Sequence, residues 1–167
     1  SVDEDIFRQD GPTKDYRANH SKVYLYSRYS RDETKCWEKA WYEYQRIQMD
    51  DPHALLVIVG RFSGEVTGCS FDFFRGEQFV YEGVAEEPKL MAHIMRGCDS
   101  MLATYYNDAC SNTYVEALLC GVTFEPQLTD LSGGTKEILD CFEHFGPRYF
   151  HLDRMYREYV EVMEDML

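Results

Sequence analysis

Ala54-Leu55-Leu56-Val57-Ile58-Val59 is an unbroken apolar run, β-branched toward its end and closed by Gly60 and Arg61. A run of this length predicts a strand covered on both faces, as in the middle of a parallel sheet. Just before it, Asp50, Asp51 and Pro52 stop a helix predicted over residues 34–49. There Trp37, Trp41, Tyr44 and Ile47 recur at helical spacing, while Glu38, Lys39, Glu43 and Arg46 take the opposite face. Further back, residues 22–27 (Lys-Val-Tyr-Leu-Tyr-Ser) are short, aromatic and β-branched, and read as a first strand. Strand, helix, strand makes a crossover unit that should be right-handed. The loop inside it, Arg28-Tyr29-Ser30-Arg31-Asp32-Glu33-Thr34-Lys35, is rich in bases, with Ser30 and Glu33 in capping-box order.

Downstream the alternation continues. Residues 64–76 mix glycines with Phe71, Phe73 and Phe74 in no clean period and read as a broken helix; Gln78-Phe79-Val80-Tyr81 is a third strand. Pro88 opens a helix carrying Leu90, Met91, Ile94 and Met95. Residues 98–105 form a fourth strand, and a loop from Asn107 leads into a helix that Gly121 ends. Val122-Thr123-Phe124 is a short fifth strand. Ser132-Gly133-Gly134-Thr135 then opens a helix to about Phe145, residues 148–151 make a sixth strand, and Asp153 caps a final helix with Met155, Tyr159, Val162, Met163 and Met166 on one side. The architecture implied is a doubly wound parallel sheet of about six strands with helices on both faces, whose ligands sit at the carboxyl ends of the strands.

With 167 residues, 44% of them apolar and 15% aromatic, the chain has the material for one packed domain. Residues 1–21 are polar and punctuated by Gly11 and Pro12, and read as a linker or hinge ahead of a domain at 22–167. The net charge of -13 argues against nucleic acid as a partner. No apolar run is long enough to span a bilayer. The six cysteines show no C-x-x-C spacing and read as reduced thiols of a cytoplasmic protein.

The loop and helix at Asn107-Asp108-Ala109-Cys110-Ser111-Asn112-Thr113-Tyr114-Val115-Glu116 carry the chemistry. A helix opening at the end of a strand offers unpaired N–H groups and the positive end of a dipole, which suits a phosphate. Asp108 and Glu116 bracket it as acceptors for sugar and ribose hydroxyls. An alternative needs no ligand: Thr113 and Glu116 have capping-box spacing. Neither G-x-G-x-x-G nor a Walker sequence is present, which removes the usual dinucleotide and P-loop readings. The histidines (His20, His53, His93, His144, His151) read as surface or core residues, and the spacing of acids and histidines offers no metal ligand set.

Taken in order, these motifs resemble the carboxyl-terminal, donor-binding half of a retaining GT-B glycosyltransferase of the family 4 type. Val2-Asp3-Glu4-Asp5-Ile6-Phe7 is similar to that family's Val-Asp-x-x-x-Phe signature at the interdomain hinge, implying an amino-terminal domain as partner. Ser30 and Lys35 match its diphosphate loop, with Cys36 where a glycine is usual. Asp108 to Glu116 match the E-x7-E element with aspartate first, Glu116-Ala117-Leu118-Leu119-Cys120-Gly121 matches Glu-Ala-x-x-x-Gly, and Gly133-Gly134-Thr135-Lys136-Glu137-Ile138 resembles Gly-Gly-x-x-Glu-Ile/Leu.

The resemblance implies a Rossmann-like domain, one half of a GT-B fold, that binds a nucleotide-sugar donor and transfers a hexose with retention. Asp108 would face the transferred sugar, Ser111, Asn112 and Thr113 would offer N–H groups to the phosphates, Glu116 would bind ribose hydroxyls, and Val84 would neighbour the base. Arg28, Ser30, Arg31 and Lys35 would face the diphosphate, where bases stabilise the charge growing on the leaving group without a metal or other cofactor. The isolated domain would bind donor without turnover. A silent glycosyltransferase-like module and a nucleotide-sugar epimerase of the same fold are the alternatives.

Overall fold

The computed structural model describes residues 2–29, 36–61, 78–105, 111–150 and 152–165. The protein is α/β, with a small sheet of four parallel strands flanked by helices. In chain order the elements are β1 (Val23–Tyr29), α1 (Trp37–Asp50), β2 (Leu55–Gly60), β3 (Phe79–Gly83), α2 (Pro88–Arg96), β4 (Ser100–Met101), α3 (Asn112–Leu119), α4 (Thr135–Phe145) and α5 (Leu152–Asp165).

The strand order is β3-β2-β1-β4. The chain therefore steps one way along the sheet through β2 and β3, then returns to lay β4 on the other side of β1. By the right-handed rule for parallel crossovers, this order assigns α1 to one face and α2 and α3 to the other. Register is set at the centre, with Val23 opposite Leu55 and Leu25 opposite Val57 on one side of β1 and Tyr24 opposite Ser100 on the other. Leu55, Leu56, Val57, Ile58 and Val59 are all buried, as a strand covered on both faces requires. Each such side chain is worth roughly 1.5–3 kcal/mol.

α1 lays Trp37, Ala40 and Tyr44 into the core, and α2 buries Met91, Ala92, Ile94 and Met95. Tyr44 also holds the sheet polar-side: its hydroxyl lies between the carbonyls of Ala54 (2.9 Å) and Gln78 and accepts from Gln48 Nε2. Burial of that ring pushes its hydroxyl well above the ordinary tyrosine range.

Among the described residues the sheet has four strands where the alternation implied about six. The fifth is reduced to a broken edge. Thr123 bridges Ser100, Pro126 then turns the chain through a short 3-10 helix (Pro126–Leu128), and pairing resumes only where Thr129 bridges Ala103. Proline lacks the N–H that a continuous ladder needs. The expected sixth strand is instead a 3-10 turn, Pro147–Phe150, with His151 outside the described residues. Its aromatics meet each other edge to face and stack on α4, Phe145 on Tyr149 and Phe142 on Phe150, rather than joining the sheet. Asp153, expected as the cap, lies within α5. The broken helix expected over residues 64–76 lies outside the described residues.

Ahead of β1 the chain is irregular apart from one 3-10 turn (Arg17–Asn19), yet Val2, Phe7 and Tyr16 are buried in the core. Lys14 N donates to His93 O (3.0 Å), and Tyr16 Oη donates to Glu82 Oε1 (2.5 Å). Arg17 pairs with Asp99 at 2.9 Å. This segment is stitched to α2 and to the amino end of β4. Among the described residues no helix is long and apolar enough to cross a membrane.

Candidate functional site

The strand order reverses between β1 and β4, and in open α/β sheets the crevice beyond the carboxyl ends at such a reversal is where ligands bind. Two connections leave the sheet there, one from β1 to α1 and one from β4 to α3. Ser30, Arg31, Lys35 and Asp108 lie on them, outside the described residues, while Arg28 is the penultimate residue of β1.

The flanks of both connections are described, and they converge. Cys36, the residue before α1, accepts a hydrogen bond at its carbonyl from Thr104 Oγ1 (3.2 Å), just past β4. Tyr105 follows; its hydroxyl shares a 2.8 Å hydrogen bond with Ser27 Oγ near the end of β1. The Tyr105 ring lies stacked on Tyr114 in the first turn of α3, centroids 5.4 Å apart, and edge-on to Tyr26, which in turn packs on Trp37 at 5.2 Å. A chain of packed rings, the floor, thus runs from the first turn of α1 past β1 to the first turn of α3. Aromatic pairs of this geometry each contribute about 0.5–1.5 kcal/mol beyond area burial, so the floor is stiff.

At α3 the N-cap is Ser111, extended (φ -84°, ψ 108°) and buried, and its hydroxyl makes no capping hydrogen bond. Its carbonyl receives Tyr114 N at 3.0 Å and Val115 N at 3.4 Å. The N–H groups of Asn112 and Thr113 have no acceptor among the described residues. Those two amides carry the positive end of the dipole.

With Ser111 at the cap, Thr113 is already inside the helix, and the capping box between Thr113 and Glu116 does not form. Glu116 is half-buried beyond the first turn. Capping-box spacing therefore does not account for this glutamate. Val84 stands 45% exposed just after β3, past the carboxyl end of a strand at the opposite edge of the sheet. From β3 to β4 there are three strand spacings, roughly 14 Å.

Cys36, at the position where the resembled family has glycine, has φ 51° and ψ 46°, and among the described residues it is the only non-glycine with positive φ. The left-handed conformation is costly for an L-residue and recurs where structure over-determines it. Sequence reading noted the substitution and missed its geometry. It also missed Tyr26, Ser27, Thr104 and Tyr105, which form the floor; Tyr105 closes a predicted strand and gave no sign of reaching across to Ser27.

The second glycine-rich loop also ends at this edge of the sheet. Gly133 has φ 62°, Ser132 N donates to Asp130 Oδ1 (2.9 Å), and α4 starts at Thr135. Lys136 and Glu137 are exposed, and Lys136 pairs with Asp140 one turn along. Cys36, Cys98, Cys120 and Cys141 are free thiols. Among the described residues no group of three or more histidines, cysteines and acids is placed to hold a metal. Compared with known proteins, the chain matches no family model, and no curated protein matches it.

Proposed function

We propose that this domain binds the nucleoside-diphosphate part of a sugar donor in the crevice between the carboxyl ends of β1 and β4, as the donor half of a retaining hexosyltransferase. The observation that carries the reading is the reversal of strand order beside β1, with the start of α3 presenting two N–H groups at that crevice. In this reading Asn112 and Thr113 bind a phosphate, Glu116 grips the ribose hydroxyls, Val84 lies against the base and Asp108 faces the transferred sugar. Arg28, Ser30, Arg31 and Lys35 receive the diphosphate and stabilise it as it leaves, with no metal required. Acceptor contacts come from an amino-terminal domain across the cleft, and the enzyme works in the cytoplasm.

Isothermal titration with UDP, GDP and ADP tests the proposal. One of the three should bind saturably, and Glu116→Ala should weaken it about tenfold or more, since a hydrogen bond to a charged group is worth about 1.5–3 kcal/mol. Failure of all three nucleotides to bind rejects the reading.

A further inference from the structure

A cavity of about 200 Å³ lies between the amino-terminal segment and α2, lined in part by Asp5, Arg8, Asp10, Lys89, His93 and Arg96. It is separate from the crevice above: Arg96 ends α2 ahead of the amino end of β4, whereas α3 starts beyond the carboxyl end of that strand. Lys89, His93 and Arg96 are spaced four and three residues apart and so share one face of α2.

Arg96 is unusual in this wall because it is 8% exposed and charged. Its Nε donates to Pro12 O (2.7 Å) and its Nη1 to Ile6 O and Arg8 O (both 3.1 Å). Its Nη2 has no oxygen acceptor among the described residues, and no carboxylate there lies within ion-pair distance of the guanidinium. A buried cation satisfied by carbonyl dipoles and the side chain of Cys120 remains uncompensated in charge unless that thiol ionises. Cys120 lies beside it, but burial pushes that thiol up to about 11 despite the guanidinium, so it supplies no anion at neutral pH.

The remaining lining groups keep the surplus positive. Asp10 is engaged by Arg8 at 3.5 Å, which leaves Lys89 and Arg96, with His93 when protonated, against the exposed Asp5. In a chain of net charge -13 a local excess of bases around a cavity needs a reason. We propose that the cavity is a binding site for a small phosphate-type oxyanion, held by Lys89 and His93 with Nη2 of Arg96 and its uncompensated charge beside them. Ammonium and guanidinium N–H groups both donate to the oxygens of such an anion. The anion could be free phosphate or the phosphate group of a small ester.

Nuclear magnetic resonance of the full chain, titrated with inorganic phosphate and with glycerol phosphate at constant ionic strength, tests this. At least one of them should produce saturable shifts of the Arg8, Gly11, Lys89 and His93 amides, and the tighter of the two identifies the source. Arg96 also holds the amino-terminal segment, so the variant to use is Lys89→Gln with His93→Gln, which leaves the Lys14 N–His93 O backbone hydrogen bond in place. It should keep a folded spectrum and bind about tenfold more weakly. The proposal is overturned if neither anion gives saturable shifts there, if chloride gives the same shifts, if the double variant binds as tightly as the parent, or if the shifts fall only on Asn112 and Thr113.

Discussion

Cys36 concentrates what single residues contribute here. A left-handed L-residue costs about 1–2 kcal/mol, and glycine returns about 0.5–1 kcal/mol of that through its freer unfolded chain. Cys36→Gly should therefore stabilise the fold slightly, and Cys36→Val, branched at Cβ, should destabilise it; denaturant midpoints measure both. A loss of stability in the glycine variant would show that the thiol's contacts outweigh the backbone strain. Asp130 makes a second case. Burial works against its ionisation, but the hydroxyl and amide of Ser132 and the ammonium of Lys39, 3.3 Å away, outweigh it and hold the carboxyl below its ordinary value of 3.8. Because the folded pKa is the lower one, this stabilisation is complete above the unfolded value and fades as pH falls toward the folded one. Asp130→Asn should be less stable than the parent at pH 7, and the gap should close in strong acid. An unchanging gap from pH 7 to pH 2 would contradict it. Residue roles were only partly legible in the sequence. Glu116 carries capping-box spacing with Thr113, yet the helix starts earlier, at Ser111, and spacing alone does not say where a helix begins.

At the scale of elements, the segments that bury a whole face were legible and those that depend on a partner were not. β2 and α2 announce themselves because nearly every apolar residue in them is buried. The 148–151 segment has strand-like residues, but Pro147 favours a turn, and α4 offers Phe142 and Phe145 as packing partners where no sheet edge is offered. The fourth strand shrank for a similar reason: only Ser100 and Met101 find ladder partners on β1, and the chain beyond them bridges the broken edge instead. The amino-terminal segment, legible only as irregular, gains its place from close packing at the end of α2. A Cβ on Gly97 would stand 2.6 Å from Lys14 O and 2.7 Å from the Tyr16 ring. Backbone cannot yield as a side-chain tip does, so Gly97→Ala should cost about 1–3 kcal/mol. Thermal unfolding checks it; an unchanged midpoint would mean that the segment ahead of β1 lifts away without loss.

For the whole molecule, alternation of strand and helix predicted a parallel sheet but could not supply its order, since each crossover has a choice of side. That order is what the proposed site rests on: by placing β4 on the far side of β1 from β2, it brings the described flanks of two connections and the start of α3 together around packed rings. The proposed function and the anion cavity sit at opposite ends of β4, so a ligand at one should leave the other's resonances in place. The most direct test is to map by amide chemical shift the nucleoside diphosphate that binds in titration. Asn112, Thr113, Tyr114 and Val84 should move together and saturate at one affinity. Saturation with those four unmoved, or movement confined to α2 and the amino-terminal segment, would contradict the account.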